Sequence, residues 1–348
     1  MNLLFSCIGR RSYIIDYFRQ SLALSDHIIG TSNTKWAPAL RYCDKKFYMP
    51  DIVAINYIDA MLQLCKEQKV DALFSFLDPD VDILAQHYYD FTSIGVLPIL
   101  PKPKSSTICF DKFETFHFLR THGFDTPMTY IDLTSAKNAL SKSDLEFPLI
   151  VKPRFGFASR NVFKANNLDE METYFQMHKD MMIQEMLQGE ELDMDICNDI
   201  NGEEVLAVVI WKKIASRAGE TQFAITLDDP SLIEVGIRLA KTVGQAGPMD
   251  VDLFKVGNKF KIIELNPRFG GGYPVTQLAG GDYPGMLVSM IRGEHVAPRI
   301  GEYKTGMVMM KEFKISCGEI SDISGRYYPN TIDNSALGVK TMWESRDE

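Results

Sequence analysis

Hydrophobic positions in the first hundred residues fall in short runs separated by stretches of helical period. Leu3–Cys7, His27–Gly30, Lys46–Met49 and Ala72–Phe76 read as buried strands. Amphipathic segments over residues 12–22 and 57–68 lie between them. Strands alternating with helices predict a parallel sheet with crossovers, a Rossmann-like α/β domain over residues 1–103. The turn after the first strand, Ile8-Gly9-Arg10-Arg11, lacks the GxGxxG spacing that brings a pyrophosphate against backbone, so no dinucleotide is expected. Its arginines are either solvated or hold an anionic substrate group at the helix start.

The pattern changes after the proline-rich stretch Pro98–Lys104, which marks a domain boundary. A helix is expected from Phe110 to His122, stopped by Gly123. Strands are expected over 148–153, 182–187, 192–197, 205–213, 249–256 and 259–265, with a helix over 231–243. Gly257-Asn258 reads as a hairpin turn. This second part is therefore α+β with antiparallel hairpins. The tail from Gly301 adds two strand-like runs, 307–313 and 320–325, and then a polar extension.

The most informative stretch is Lys261–Gly272, KIIELNPRFGGG. Glu264, Asn266 and Arg268 occupy alternate positions and share one face if the chain is extended. They either close a solvated turn or line a binding surface. Across the predicted hairpin, Asp250 and Asp252 alternate in the same way, and pairing about Gly257-Asn258 sets Asp252 opposite Glu264. Two adjacent carboxylates repel unless a cation lies between them or one is protonated. A hard divalent ion with a phosphate substrate suits this all-oxygen set, to which Asn266 adds a donor. Lys112 and Lys152 are the candidate phosphate cations, with Lys152 ending an apolar strand before the loop 154–161. Each also reads as an ordinary surface lysine.

Composition narrows the choice. A net charge of -9 over 348 residues argues against a broad nucleic-acid surface. Hydrophobic content of 45% and charged content of 24% suit a soluble globular chain. Six scattered cysteines without CxxC spacing suggest neither zinc nor a disulfide framework. The short N-terminal apolar run precedes its arginines, the wrong order for an export signal. No run approaches a membrane span, so a cytoplasmic protein is expected. No Ser/His or Cys/His pairing calls for a nucleophile.

The order Lys112, Ile150-Val151-Lys152 with its loop, Gln184–Glu191, Asp252 and Glu264–Arg268 resembles the ATP-grasp superfamily. It looks like the carbamoyl-phosphate synthase large chain, biotin carboxylase and the carboxylate–amine ligases, over residues 104–300. The resemblance implies a Rossmann-like pre-ATP-grasp domain followed by a two-part ATP-grasp fold. The lid would fall within 104–187 and the catalytic sheet within 188–300, completed by a strand and extension in 301–348. It also implies ATP with Mg²⁺ or Mn²⁺, usually two ions. Lys112, Lys152 and the loop with Ser159 would contact phosphates. Glu185, Met186 and Leu187 would meet adenine, and Glu191 the ribose. Asp252, Glu264 and Asn266 would hold metal, and Arg268 would steady the transferring phosphoryl group. Gly270, Gly271 and Gly272 would let the substrate lie against bare backbone. The loop departs from many relatives in having one glycine, Gly156, between two phenylalanines.

The chemistry so implied joins a small carboxylate to an amine through an acylphosphate. The alternatives are a small-molecule or carbamate kinase and a non-catalytic nucleotide-binding subunit. Lys212, Lys213, Arg217, Glu220 and Thr221 are expected to face the cleft. Arg217 reads either as a carboxylate clamp or as part of a solvated basic turn. Tyr273 and Gly280-Gly281-Asp282 are expected as pocket walls, and a homodimer is the default assembly.

Overall fold

The computed structural model of the protein describes residues 1–156, 160–217, 219–312 and 314–329. The first module holds β1 (Asn2–Ser6), β2 (His27–Ser32), β3 (Lys45–Tyr48), β4 (Ala72–Ser75) and β5 (Leu97–Pro98). They pair in parallel in the order β3-β2-β1-β4-β5. Helix α1 (Ser12–Arg19) places Ile14, Ile15 and Phe18 against one sheet face, and α2 (Tyr57–Gln68) places Met61 and Leu64 against the other. Strand order reverses between β1 and β4. In open parallel sheets the carboxyl ends at such a reversal form the ligand crevice. Helix α3 (Asp78–Gln86) starts at this crevice, and α4 (Tyr88–Ser93) follows it.

The helix expected from Phe110 to His122 is two helices. α5 (Pro103–Phe110) ends where α6 (Lys112–Thr121) begins, because Asp111 caps α6 by accepting from the backbone N–H groups of Phe113 and Glu114. Beyond them β6 (Thr129–Tyr130), α7 (Leu133–Ser141), β7 (Leu149–Pro153), β8 (Phe163–Ala165), α8 (Leu168–Met177) and β9 (Met181–Glu185) form a small antiparallel sheet in the order β6-β9-β7-β8. Its own core gathers Leu149, Val151, Met171 and Ile183.

The largest antiparallel sheet contains β10 (Glu190–Asn198), β11 (Val205–Arg217), β12 (Glu220–Thr226), β13 (Pro248–Val256), β14 (Lys259–Asn266) and β15 (Val308–Met310). Its order is β14-β13-β10-β11-β12-β15. Met194, Ile196, Val208, Ile210, Val251 and Leu253 cover one face and pack on α9 (Pro230–Val243). Gly236 lets α9 approach closely: a Cβ there would lie 2.9 Å from Val208 and 3.2 Å from Met194. The other face carries the polar rows described below. Helices α10 (Tyr273–Leu278) and α11 (Tyr283–Ile291) return the chain to the first module.

Aromatic rings weld the modules together. Phe269 lies 5.9 Å from Phe18, 6.1 Å from Phe76 and 4.7 Å from Tyr273, centroid to centroid. Burying a side chain of this size stabilises the junction by about 2–3 kcal/mol. The expected strand over 320–325 is instead a 3-10 turn over Ile320–Ile323. There the Asp322 carboxylate accepts from the Glu319 N–H at 3.0 Å and pairs with Arg41 at 3.1 Å. After it β16 (Arg326–Tyr327) pairs in parallel with β3, at the edge of the first sheet. Thus β15 extends the large sheet, while the chain that follows rejoins the first module. Among the described residues no helix is long and apolar enough to cross a membrane.

Candidate active site

Register builds the polar face. β10, β13 and β14 align Asp193, Asp252 and Glu264 in one row, and Asp195, Asp250 and Asn266 in the next. A bulge between Asp252 and Leu253 shifts the pairing beside the metal-candidate row. Five carboxylates on one sheet face require cations, and the fold supplies them. Lys213 Nζ lies 2.7 Å from Asp252, 3.0 Å from Asp193 and 3.0 Å from Glu191. Asp193 is 1% exposed, and Lys213 is its charge partner. Burial opposes charge on Lys213, yet Asp252, Asp193 and Glu191 together hold its pKa above the usual value. Burial likewise works to raise Asp252, but Lys213 outweighs it and keeps that carboxyl below the normal range. Asp195 and Asp250 are pushed up, first by burial and then by neighbouring carboxylates.

Arg268 follows the second row. Its Nη1 donates to Asp250 at 2.9 Å, and its Nε and Nη2 donate to Asp78 at 2.7 and 3.2 Å. Asp78 belongs to α3, so one guanidinium joins the carboxylate face to the crevice of the first module. The Asn266 amide donates to Asp252 at 2.9 Å and Asp250 at 3.3 Å, leaving its oxygen as a donor to an ion. Among the described residues, Asp193, Asp250 and Asp252 bring carboxylate oxygens within 4.8 Å of one another. Glu264 turns instead to Lys112, at 2.9 Å.

Two lysines approach from the lid side. Lys112 opens α6 and also donates to Gly156 O at 2.5 Å. Lys152, at the end of β7, is only 8% exposed. Burial is the main cause that lowers its pKa to about 8, with Lys112 adding to the effect and Glu264 and Asp252 opposing it. The free protein thus carries the ammonium below about pH 8, and a bound phosphate favours that form. ADP affinity measured in EDTA is expected to be highest at pH 7 and below, and about ten-fold weaker at pH 9. An affinity that is flat from pH 7 to 9 would remove Lys152 from the phosphate contacts.

Lys112, Lys152, Asp252, Glu264, Asn266 and Arg268 therefore meet at one place. A small cleft touches it, lined in part by Asp78, Lys112, Gly156, Glu264 and Asn266. Glu185, Met186 and Leu187 lie on the stretch between lid and large sheet, with Glu185 2.5 Å from Lys261. Arg217 is exposed at the far end of β11, opposite Glu220. Ser159 lies outside the described residues. Arg154 folds back onto Asp111 through two bonds of 2.7 and 2.6 Å, which ties the end of β7 to the start of α6. Tyr273 is a core residue: it is fully buried, and its hydroxyl donates to Gly281 O at 2.9 Å.

The three glycines divide by role. A Cβ on Gly270 would lie 2.6 Å from the Asp250 carboxyl, and one on Gly272 would lie 2.1 Å from the Trp211 ring. Packing explains both. Only Gly271 is open, with its nearest neighbours Glu220 at 3.8 Å and Lys311 at 4.0 Å from such a Cβ. Sequence reasoning missed Asp193, although Asp193-Met194-Asp195 repeats the alternation of Asp250-Val251-Asp252. It also missed Asp78, for which position along the chain offers no signal.

Two family descriptions match in tandem. "PylC-like, N-terminal domain" matches residues 3–99, and "ATP-grasp domain" matches residues 109–272. A carbamoyl-phosphate synthase from Methanobrevibacter smithii is 26% identical over 310 residues, 84% of this chain and 81% of that protein. D-alanine–D-alanine ligase A from Bacillus cereus is 32% identical over 187 residues, 49% of this chain and 60% of that protein. The match spans less than two thirds of that ligase's length. The fold is similar to biotin carboxylase from Campylobacter jejuni, solved as a β-γ-ATP complex, with a TM-score of 0.70 at 16% identity over 87% of this chain and 73% of that one. Tandem modules, paired carboxylate rows and relatives matched across both modules lead to one assignment: the chain carries an ATP-grasp domain behind a PylC-like N-terminal domain, and it is similar to carboxylate–amine ligases and to a carbamoyl-phosphate synthase.

Proposed function

We propose that this protein activates a small carboxylate with ATP and transfers the acyl group to an amine, releasing ADP and phosphate. The observation that carries this reading is the meeting of Lys112 and Lys152 with the Asp252, Glu264, Asn266 and Arg268 face. In this reading residues 1–103 and 104–300 act as two modules that share the cleft. The adenine lies along Glu185–Leu187, with its ribose near Glu191, and the phosphates run toward the two lysines.

Asp252, Glu264 and Asn266 form an all-oxygen donor set that fits a hard divalent ion. Two Mg²⁺ ions held there would supply positive charge against the negative charge that develops on transfer. The chain does the rest. Lys152 and Lys112 neutralise phosphate oxygens from a desolvated position, where each charge acts more strongly than in water. Arg268, fixed by Asp78 and Asp250, needs no reorganisation to meet the phosphoryl group and the acylphosphate. The substrate carboxylate attacks the γ-phosphorus, and the acylphosphate is then attacked by the amine with loss of phosphate. Covering the cleft keeps water from the acylphosphate.

The test is phosphate release from Mg-ATP with amino acids and small carboxylates, singly and in pairs, followed by mass spectrometry. Release that needs two substrates, with a product of their summed mass less water, is the expected result. Release with one substrate and a phosphorylated product would make the protein a kinase.

A further inference from the structure

The β1/β4 crevice opens on Gly271, and the side chains there are an unbalanced set. Arg10 and Arg11 follow β1, and Lys311 follows β15, anchored by its N–H to Gln222 O at 2.9 Å. Arg11 Nη1 donates to Phe269 O at 2.7 Å, which holds that guanidinium beside the glycine loop. Lys311 Nζ lies 3.5 Å from Glu220, the carboxylate that faces it. Arg268 is already matched by Asp78 and Asp250, so it does not add to this excess of positive charge. The Tyr13 hydroxyl has almost no accessible surface, and among the described residues nothing hydrogen-bonds to it. Burial raises the Tyr13 pKa, with Arg11 the largest opposing influence. Burial lowers Lys311, and Arg11 and Arg10 lower it further against Glu220.

Three cations against one carboxylate in a half-shielded crevice repel one another, and an anion relieves that repulsion. The crevice is also where a sheet with this strand reversal takes a ligand. We propose that Arg10, Arg11 and Lys311, with the Tyr13 hydroxyl, bind a second anionic group of the substrate, so that the enzyme selects molecules with an anion in addition to the reacting function. The inference rests on the ligase reading above. A substrate lying over Gly271 then reaches Arg268 at one end and the cationic crevice at the other. The second anion is a carboxylate or a phosphate, since both accept paired N–H donors.

The test uses isothermal calorimetry on the full chain with Mg²⁺ and AMP-PNP present. Succinate is compared with butyrate, and O-phospho-L-serine with L-serine. The doubly anionic member of at least one pair is expected to bind ten-fold or more tightly than its partner. Lys311→Met, and separately Arg10→Ala, should bring that ratio close to one. A stronger response to succinate identifies a dicarboxylate, and a stronger response to phosphoserine a phosphorylated substrate. Equal binding within both pairs, no binding by any member, or an unchanged ratio in both variants would overturn the assignment. AMP-PNP affinity of the wild type is measured first. Its absence would remove the ligase reading itself, and the two failures are thereby told apart.

Discussion

Glu264→Gln is expected to slow phosphate release by about three orders of magnitude while leaving the thermal midpoint unchanged. Glutamine has the same shape and keeps an oxygen beside Lys112, whose Nζ lies 2.9 Å from Glu264 Oε1. The fold therefore loses little. What disappears is one formal negative charge from the row Asp193, Asp252, Glu264, opposite Asp252 in the ladder. If that charge holds a metal ion during phosphoryl transfer, its loss removes several kcal/mol of transition-state stabilisation, which is the expected rate effect. Product release followed in a coupled ADP assay, beside circular dichroism of the same sample, checks both halves. Normal turnover would mean that Glu264 serves only as the partner of Lys112.

The second large effect separates stability from catalysis at Arg268. Its guanidinium is 11% exposed, and it is fixed between Asp78 and Asp250, whose side chains are 19% and 9% exposed. Asp78 and Asp250 hold the arginine charged against the effect of burial. Arg268→Met strands two carboxylates, and breaking a buried pair in this way typically costs about 3–5 kcal/mol. Phosphate release should fall by about a hundred- to a thousand-fold as a preorganised donor is lost. Adding Asp250→Asn should restore a good part of the stability measured in urea, because the more buried of the two stranded charges is gone. Turnover should stay low. Recovery of turnover in the double variant would make Arg268 a structural residue.

Much of this was readable along the chain, for physical reasons. The β13–β14 hairpin was legible because Gly257-Asn258 fixes a turn, and a turn fixes which side chains face each other; Asp252 and Glu264 do pair. α2 was legible because its apolar period runs unbroken from Tyr57 to Gln68. The junction near residue 111 was not, since the apolar period continues through a cap made by a single aspartate. The glycines misled in an instructive way: the resemblance implied one bare surface, whereas Asp250 and the Trp211 ring, distant along the chain, claim the space beside two of them. The Arg268–Asp78 pair was equally hidden, because it joins two modules whose docking is set by Phe269 and its aromatic neighbours.

The pairing of β16 with β3 bears on how the protein must be made. β3 is the outer strand of the first sheet until Arg326 and Tyr327 arrive, and they are translated after the whole second module. During synthesis the first module therefore emerges with one ladder of N–H and C=O groups unclaimed, the kind of edge that recruits strands from other chains. The late arrival is held firmly: Tyr327 lies 4.5 Å from Tyr48 ring to ring, Tyr48 donates to Ile323 O at 2.6 Å, and Arg326 and Tyr328 both reach Glu67. β16 is thus a late seal on a sheet whose other strands are made long before it, and the interval between the two is when the nascent chain is most open to a chaperone or to a neighbour of its own kind.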